Sequence, residues 1–256
     1  YRPRNKKREG KMIQRRDDPL FRKSIVICAW SGFAAIILFI IGGVLLGGML
    51  PPLFRAYDAP SEFVRKVSEH LFEIRVGSIF LMCSFALFGP FGAGIAALTR
   101  RAETMPVFSF IQLVFTACGT MIALLVAFAW ALMAFRPDEY HPAMVQFLGD
   151  FAYFLAVFSV PCFGGWCVVI AVPILLAAKG KEPFPRWVAY LNLWAAVLFV
   201  PGQMVLFFKH GPFSWHGILA LWLPFVAFFL WILIMSFAML QAVKLAAQSA
   251  PQPLPA

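Results

Sequence analysis

Residues 225–237 read FVAFFLWILIMSF. The stretch carries one hydroxyl and no charge, so a helix built from it is apolar on every face. Such a helix is stable inside a large core or in lipid. Followed outward, the uncharged run covers Gly217–Leu240. Crossing a bilayer hydrocarbon core takes about 20 residues. Five further runs without Asp, Glu, Lys or Arg precede it: Ile25–Leu50, Val76–Thr99, Val107–Phe135, Phe151–Ala178 and Trp187–Phe208. None alternates polar and apolar residues strictly, which argues against a porin-like barrel. Helices satisfy their own backbone groups in lipid. The expected fold is therefore all-α, a polytopic membrane bundle of six transmembrane helices. The expected division is a basic tail over 1–24, the six-helix domain over 25–244 and a short tail over 245–256.

Composition agrees. Hydrophobic residues make up 61% of the 256 positions and charged residues 13%, about half the charged share of a soluble domain. The net charge of +10 is unevenly spread. Residues 1–23 hold ten Lys/Arg and three acids. A basic tail abutting a first span is an orientation signal and a contact for anionic lipid. No nucleic-acid recognition fold follows it, so nucleic acid is not expected as a partner. The first span is too long for a signal-peptide core and no A-x-A site follows, so it reads as an uncleaved anchor.

Loop charges set the expected orientation. Arg100, Arg101, Lys179, Lys181, Arg186 and Lys244 fall on the same side as the tail. Arg55, Arg65, Lys66, Arg75, Arg136 and Lys209 fall on the other. The positive-inside rule then puts both termini in the cytoplasm. The two inner turns, RRAETMPVF and KGKEPFPRW, each place a Glu three residues before a Pro, Pro106 and Pro185. This reads as convergent turn chemistry or as a duplicated helical hairpin.

The outer segments carry the only clustering of polar chemistry. APSEFVRKVSEHLFEIR (59–75) repeats Phe63, Val67, Leu71 and Ile74 at helical spacing. It predicts a short amphipathic helix on the membrane surface after the first span, starting at Pro60 or Ser61. All four histidines, His70, His141, His210 and His216, fall on this side with Glu69 and Glu73. Imidazole and carboxylate ligands converging from several segments are what a transition metal takes. No H-E-x-x-H is present. KHGPFSWHG (209–217) also has the composition of a turn between spans, with Lys209 and Trp215 as headgroup anchors. The turn is the first reading and a metal or haem site the second; no stoichiometric metal or haem is expected, and no cofactor is named.

The spans contain no ionisable residue at depth and no paired histidines. Both absences count against pumps, coupled antiporters and haem-bearing electron carriers. Gly and Pro interrupt three spans, at Gly89–Pro90, Pro161 and Pro201. Interrupted helices expose backbone to a ligand or pack closely on neighbours. Asn192 and Gln203 are eleven residues apart, three regular turns, and so are expected on one face. With Tyr190, Pro201, Gly89 and Pro90 they form the candidate ligand site. The cysteines, all inside apolar runs and without C-x-x-C, read as packing residues. Gly42, Gly43, Gly47 and Gly48 of the first span, with Gly89 and Gly92 of the second, are the expected docking seams for other subunits.

EPFPRWVAYLNLWAAVLFVPG (182–202) and KHGPFSWHGILALWLPF (209–225) resemble a group of multi-pass bacterial membrane proteins without established function. The resemblance implies a bacterial inner-membrane address and brings no catalytic residues. The functional expectation is a non-catalytic structural or accessory subunit of a larger membrane complex. The alternative is a carrier or binding protein for a hydrophobic small molecule such as a lipid, quinone, sterol or pigment. A membrane oxidoreductase using the outer histidines is the third reading.

Overall fold

A computed structural model describes residues 19–248; the expectations for residues 1–18 and 249–256, including anionic-lipid binding by most of the basic tail, lie outside the described residues. The described chain is all-α, with six helical segments long and apolar enough to cross a membrane. The first span runs from Pro19 to Leu46 as α1 (Pro19–Phe39) and a π-helical end (Ile40–Leu46). It begins at Pro19 rather than Ile25, so the last residues assigned to the tail are helical. The amphipathic helix α2 (Pro60–Glu69) follows, then α3 (Leu71–Ala86) and α4 (Phe88–Thr99), which form the second span. The third span is α5 (Val107–Met133), and the fourth is α6 (Pro142–Phe158) with α7 (Val160–Leu176). The fifth is α8 (Arg186–Phe199), tightening to a 3-10 helix over Val200–Leu206. A π segment (Ile218–Trp222) leads into α9 (Leu223–Gln248); the last span ends at Leu245 and the helix continues to Gln248.

The spans pack in chain order into a closed ring: first on second, second on third, and so on until the sixth meets the first. The glycines make this possible. A Cβ on Gly42 would lie 2.6 Å from Phe80 Cβ and 2.7 Å from the Gly77 carbonyl, and one on Gly77 would lie 2.6 Å from the Gly42 carbonyl. Gly43 is closed off by Leu81 and Phe39, and Gly92 by Thr116 and Trp166. Close backbone approach is how helices associate in lipid. These contacts join the chain's own spans, so Gly42, Gly43, Gly47 and Gly92 are not the subunit seams expected from the sequence. Gly89 has no atom of this chain within 4 Å of a Cβ and joins no seam within the bundle.

Local signals act as chemistry dictates. Pro60 stands at the start of α2, where its missing N–H costs nothing. Phe63 and Val67 are buried while Arg65 reaches Glu62 and Glu69 at 2.5 and 2.6 Å on the exposed face. The turns after the second and fourth spans differ in detail. Glu103 caps α5 by accepting from the Phe108 and Ser109 amides at 3.1 and 3.0 Å. Glu182 instead bonds backward to the Gly180 amide at 2.6 Å and meets Arg186 at 3.3 Å. Backbone hydrogen bonds first, then Arg186, hold the Glu182 carboxyl below its usual range.

At the histidine-bearing end, residues 47–59 fold back over the bundle as a cap. Met49 and Phe54 are buried. Trp130 Nε1 donates to the Gly47 carbonyl at 2.7 Å, and Tyr153 Oη donates to the Met49 carbonyl at 2.9 Å. Both carbonyls lie beyond the π turn, where the helix supplies no donor. Trp215 stacks on Tyr153 with ring centroids 4.1 Å apart and donates Nε1–H to Asp150 at 3.1 Å.

Candidate functional site

Five of the six spans are irregular, and chemistry explains four of the breaks. Proline lacks the N–H that would bond the carbonyl four residues back. Pro90 therefore frees the Ala86 carbonyl, and the second span breaks at Leu87. Pro161 frees the Val157 carbonyl, and the fourth breaks at Ser159. Pro201 lies in the 3-10 end of the fifth, and Pro224 follows the π segment of the sixth. The first span widens without proline, with the Gly47 amide reaching back five residues to the Gly42 carbonyl at 2.7 Å.

These five irregular points meet around one cavity of about 70 Å³. Phe39 lines it from the last α turn of the first span, and Phe85 and Phe88 from either side of the second-span break. Val157, Ser159 and Val160 come from the fourth, Phe199 from the fifth and Pro224 with Phe225 from the sixth. The unbroken third span supplies Ile122, Ala123 and Val126 as a wall, and Met49 of the cap closes the remaining side. Phe199 lies about 14 Å along the axis from the end of its span, at about 2.0 Å per residue of the intervening 3-10 helix, so the cavity sits at bilayer depth. Among the described residues, no ionisable side chain lines it. Ser159 is its one hydroxyl, and Ser159 Oγ is buried without a hydrogen-bond partner.

The break in the fourth span is locked to the fifth. Gln203 Nε2 donates to the Phe158 carbonyl at 2.7 Å, and a Cβ on Gly202 would lie 2.5 Å from the Val157 carbonyl. Gln203 and Pro201 thus belong to the structure that shapes the cavity without lining it. Asn192 does not share their site. It is fully buried, accepts from Trp231 Nε1 at 2.9 Å and donates to the Val188 carbonyl at 2.8 Å. The 3-10 segment between the two residues turns about 120° per residue instead of 100°, so eleven positions no longer return to one face. Tyr190 is 57% exposed and points away from the bundle. Gly89 and Pro90 break the second span but stand outside the lining.

The four histidines fall in three places. His210 stacks on Tyr57 at 4.7 Å, and His216 meets the same ring edge-on at 5.4 Å. His216 Nδ1 accepts from the Ala56 amide at 3.2 Å and Nε2 faces Ser214 Oγ at 3.3 Å. With Nδ1 accepting, the ring proton sits on Nε2 and donates to Ser214. Ser214 in turn donates to the Gly211 carbonyl at 2.9 Å, and Gly211 takes φ +79°, so this stretch is a hydrogen-bonded turn. Burial first, then the Arg55 charge, pushes the His216 pKa below the usual histidine value, against the opposing pull of Asp58. His141 caps α6, accepting from the Ala143 amide at 3.3 Å. His70 and Glu73 line a surface hollow between the first and second spans, and Glu69 is held by Arg65. Among the described residues, no three His, Cys, Asp or Glu side chains are grouped to hold a metal ion.

The residues missed in the sequence are Ser159 and the phenylalanines around it. The signal was present: a serine two positions before the proline of a mid-span V-P step. Gln112 was also passed over; it is fully buried in the third span, with Nε2 donating to the Val169 carbonyl at 3.3 Å. Compared with known families, with curated proteins and with solved structures, the chain shows no match.

Proposed function

We propose that this protein binds a small, predominantly apolar molecule within the bilayer, at the cavity where the interrupted spans meet. The observation that carries the reading is the convergence itself: five spans line one apolar space with residues at or beside the points where they bend or rewind. Intramembrane ligand sites are commonly built from discontinuous helices. Eight phenylalanines in the lining and a volume of about 70 Å³ suit a segment of an alkyl or isoprenoid chain, as a lipid or a quinone tail carries. The charge bias of the loops and the resemblance support a bacterial inner membrane with the histidine-bearing end outward. The test is purification from native membranes into nanodiscs, followed by extraction and mass spectrometry. One apolar compound, enriched over bulk lipid and lost in Ala156→Phe, is expected. Ala156 lines the cavity, and the larger ring fills it. Wild-type protein carrying nothing beyond bulk lipid sinks the reading.

A second reading, an accessory subunit of a membrane complex, is favoured by the outer face of α8. Trp187, Tyr190 and Trp194 form an exposed aromatic stripe at spacings of three and four, with Trp194 65% exposed. Trp194 lies about 10 Å deeper along the helix than Trp187, below the headgroup level where tryptophan normally sits. An indole N–H at that depth is better satisfied by a protein partner than by lipid. Loss of a larger native-gel species in Trp194→Leu supports this reading; an unchanged lone monomer in wild type removes it.

A further inference from the structure

A second concavity lies where the first and second spans reach the histidine-bearing end. The first span ends at Leu46, and Gly48, at φ +59°, turns the chain aside into the cap. The second span begins at Leu71, just after the break at His70 between α2 and α3. These two ends leave a hollow of about 200 Å³, which shares no lining residue with the cavity. Val44, Leu45, Leu53 and Ile74 give it an apolar wall, and Leu45 is 70% exposed on the outside of the bundle. Its polar groups are His70 and Glu73. Glu73 is the third residue of the second span, so its carboxylate stands where hydrocarbon gives way to headgroups. The cations of α2 and α3 are taken. Arg65 holds Glu62 and Glu69, Lys66 holds Asp58, and Arg75 donates to the carbonyls of Ala134 and Phe135. Among the described residues, neither the Glu73 carboxylate nor the His70 imidazole has a hydrogen bond or an ion pair.

We propose that the hollow seats a phospholipid with a primary-amine headgroup, of the ethanolamine class. Its ammonium donates to Glu73, the His70 ring N–H donates to its phosphate, and an acyl chain runs down Val44 and Leu45. Glu73 repels a headgroup of net negative charge. A choline headgroup carries the same charge as ethanolamine but has no N–H to donate, whereas a primary ammonium has three. A free amine gains only an exposed ion pair, which is worth little. A lipid held by its acyl chain brings the same ammonium to Glu73 at high effective concentration.

The experiment uses the full chain in nanodiscs of phosphatidylcholine containing one of two photoreactive lipids. The two have identical diazirine-bearing acyl chains and end in ethanolamine or in choline. Labelling of residues 44–53 and 70–74 is read by peptide mass spectrometry. It is normalised to Phe128 and Leu132, exposed on the third span at the same end of the bundle. The cavity plays no part in this readout, so the apolar-ligand reading stands or falls separately. In wild type the ethanolamine lipid labels the hollow about threefold more than the choline lipid, the scale of one exposed ion pair. Glu73 is exposed, so Glu73→Gln keeps the fold, and it brings the two lipids to parity. Glu69→Gln removes a nearby carboxylate that Arg65 already holds and leaves the preference in place. Equal labelling by the two lipids in wild type, or a preference that persists in Glu73→Gln, overturns the inference. Loss of the preference on adding water-soluble glycerophosphoethanolamine also overturns it, because the ligand is then the free headgroup and not the lipid.

Discussion

The phenol of Tyr153, on the fourth span, donates to the backbone carbonyl of Met49, just past the end of the first. Met49 also forms part of the cavity wall, so one hydrogen bond fixes both the cap and the space beneath it. The parallel bond from Trp130 to Gly47 holds the other free carbonyl of the same turn. Tyr153→Phe and Trp130→Phe should each destabilise the protein by about 1–2 kcal/mol, the cost of leaving a buried carbonyl unpaired. The two rings are in edge-to-face contact at 5.4 Å, so the double variant should depart from additivity. Unfolding midpoints in mixed micelles check this. An unchanged midpoint for both single variants would show that the cap does not depend on these bonds.

Two glycines of one span should respond oppositely to alanine. At Gly77 a Cβ meets backbone at 2.6 Å and neither chain can yield without separating the spans. Gly77→Ala should cost about 1–3 kcal/mol, the usual scale of overpacking. Gly89→Ala meets open space and should stabilise by about 0.5–1 kcal/mol through the unfolded chain. Thermal melts of the two variants against wild type decide it. Gly43→Leu, closed in by Leu81 and Phe39, should unfold the bundle rather than release it from an assembly.

His216 should make the cap sensitive to acid. Its pKa is lowered in the fold, so the unfolded chain binds more protons in the window below about 6.5, the ordinary histidine value. Stability from this group is therefore complete above that value and is lost as pH falls toward the folded pKa. Protonation also removes the Nδ1 lone pair that accepts from Ala56. Arg55, His210 and Asp58 face the same ring, the first two against protonation and the third for it. Protection of the amides over residues 54–58, corrected for the intrinsic pH dependence of exchange, should fall between pH 7 and 5, and His216→Gln should flatten the change. A fall of equal size in His216→Gln would assign it elsewhere.

Topology is open to cysteine labelling in a cysteine-free background. Single cysteines at Ser68 and Lys209, both exposed, should react in intact cells with an impermeant thiol reagent. One at Thr104, exposed at the opposite end, should react only after permeabilisation. Ser214 is fully buried and reports nothing about sidedness. Labelling at Thr104 in intact cells reverses the proposed orientation.

The sequence by itself determined the number of spans and the amphipathic helix at residues 60–69. Both follow from local rules: charge exclusion over a bilayer's thickness and a repeat of three and four residues. It also marked where spans would break, since Pro90, Pro161 and Pro201 remove a backbone donor wherever they stand. Only the tertiary structure decided what the breaks are for. Asn192 and Gln203 share a face on a regular helix, and the 3-10 turn at Val200 separates them. Whether a glycine is a seam depends on the facing helix, which Gly77 meets and Gly89 does not. Ser159 reads as an ordinary mid-span hydroxyl in the sequence, and packing is what leaves its Oγ buried without a partner beside the cavity. Periodicity and composition act along the chain over a few residues, whereas a site is defined by elements far apart in sequence that packing brings to one point.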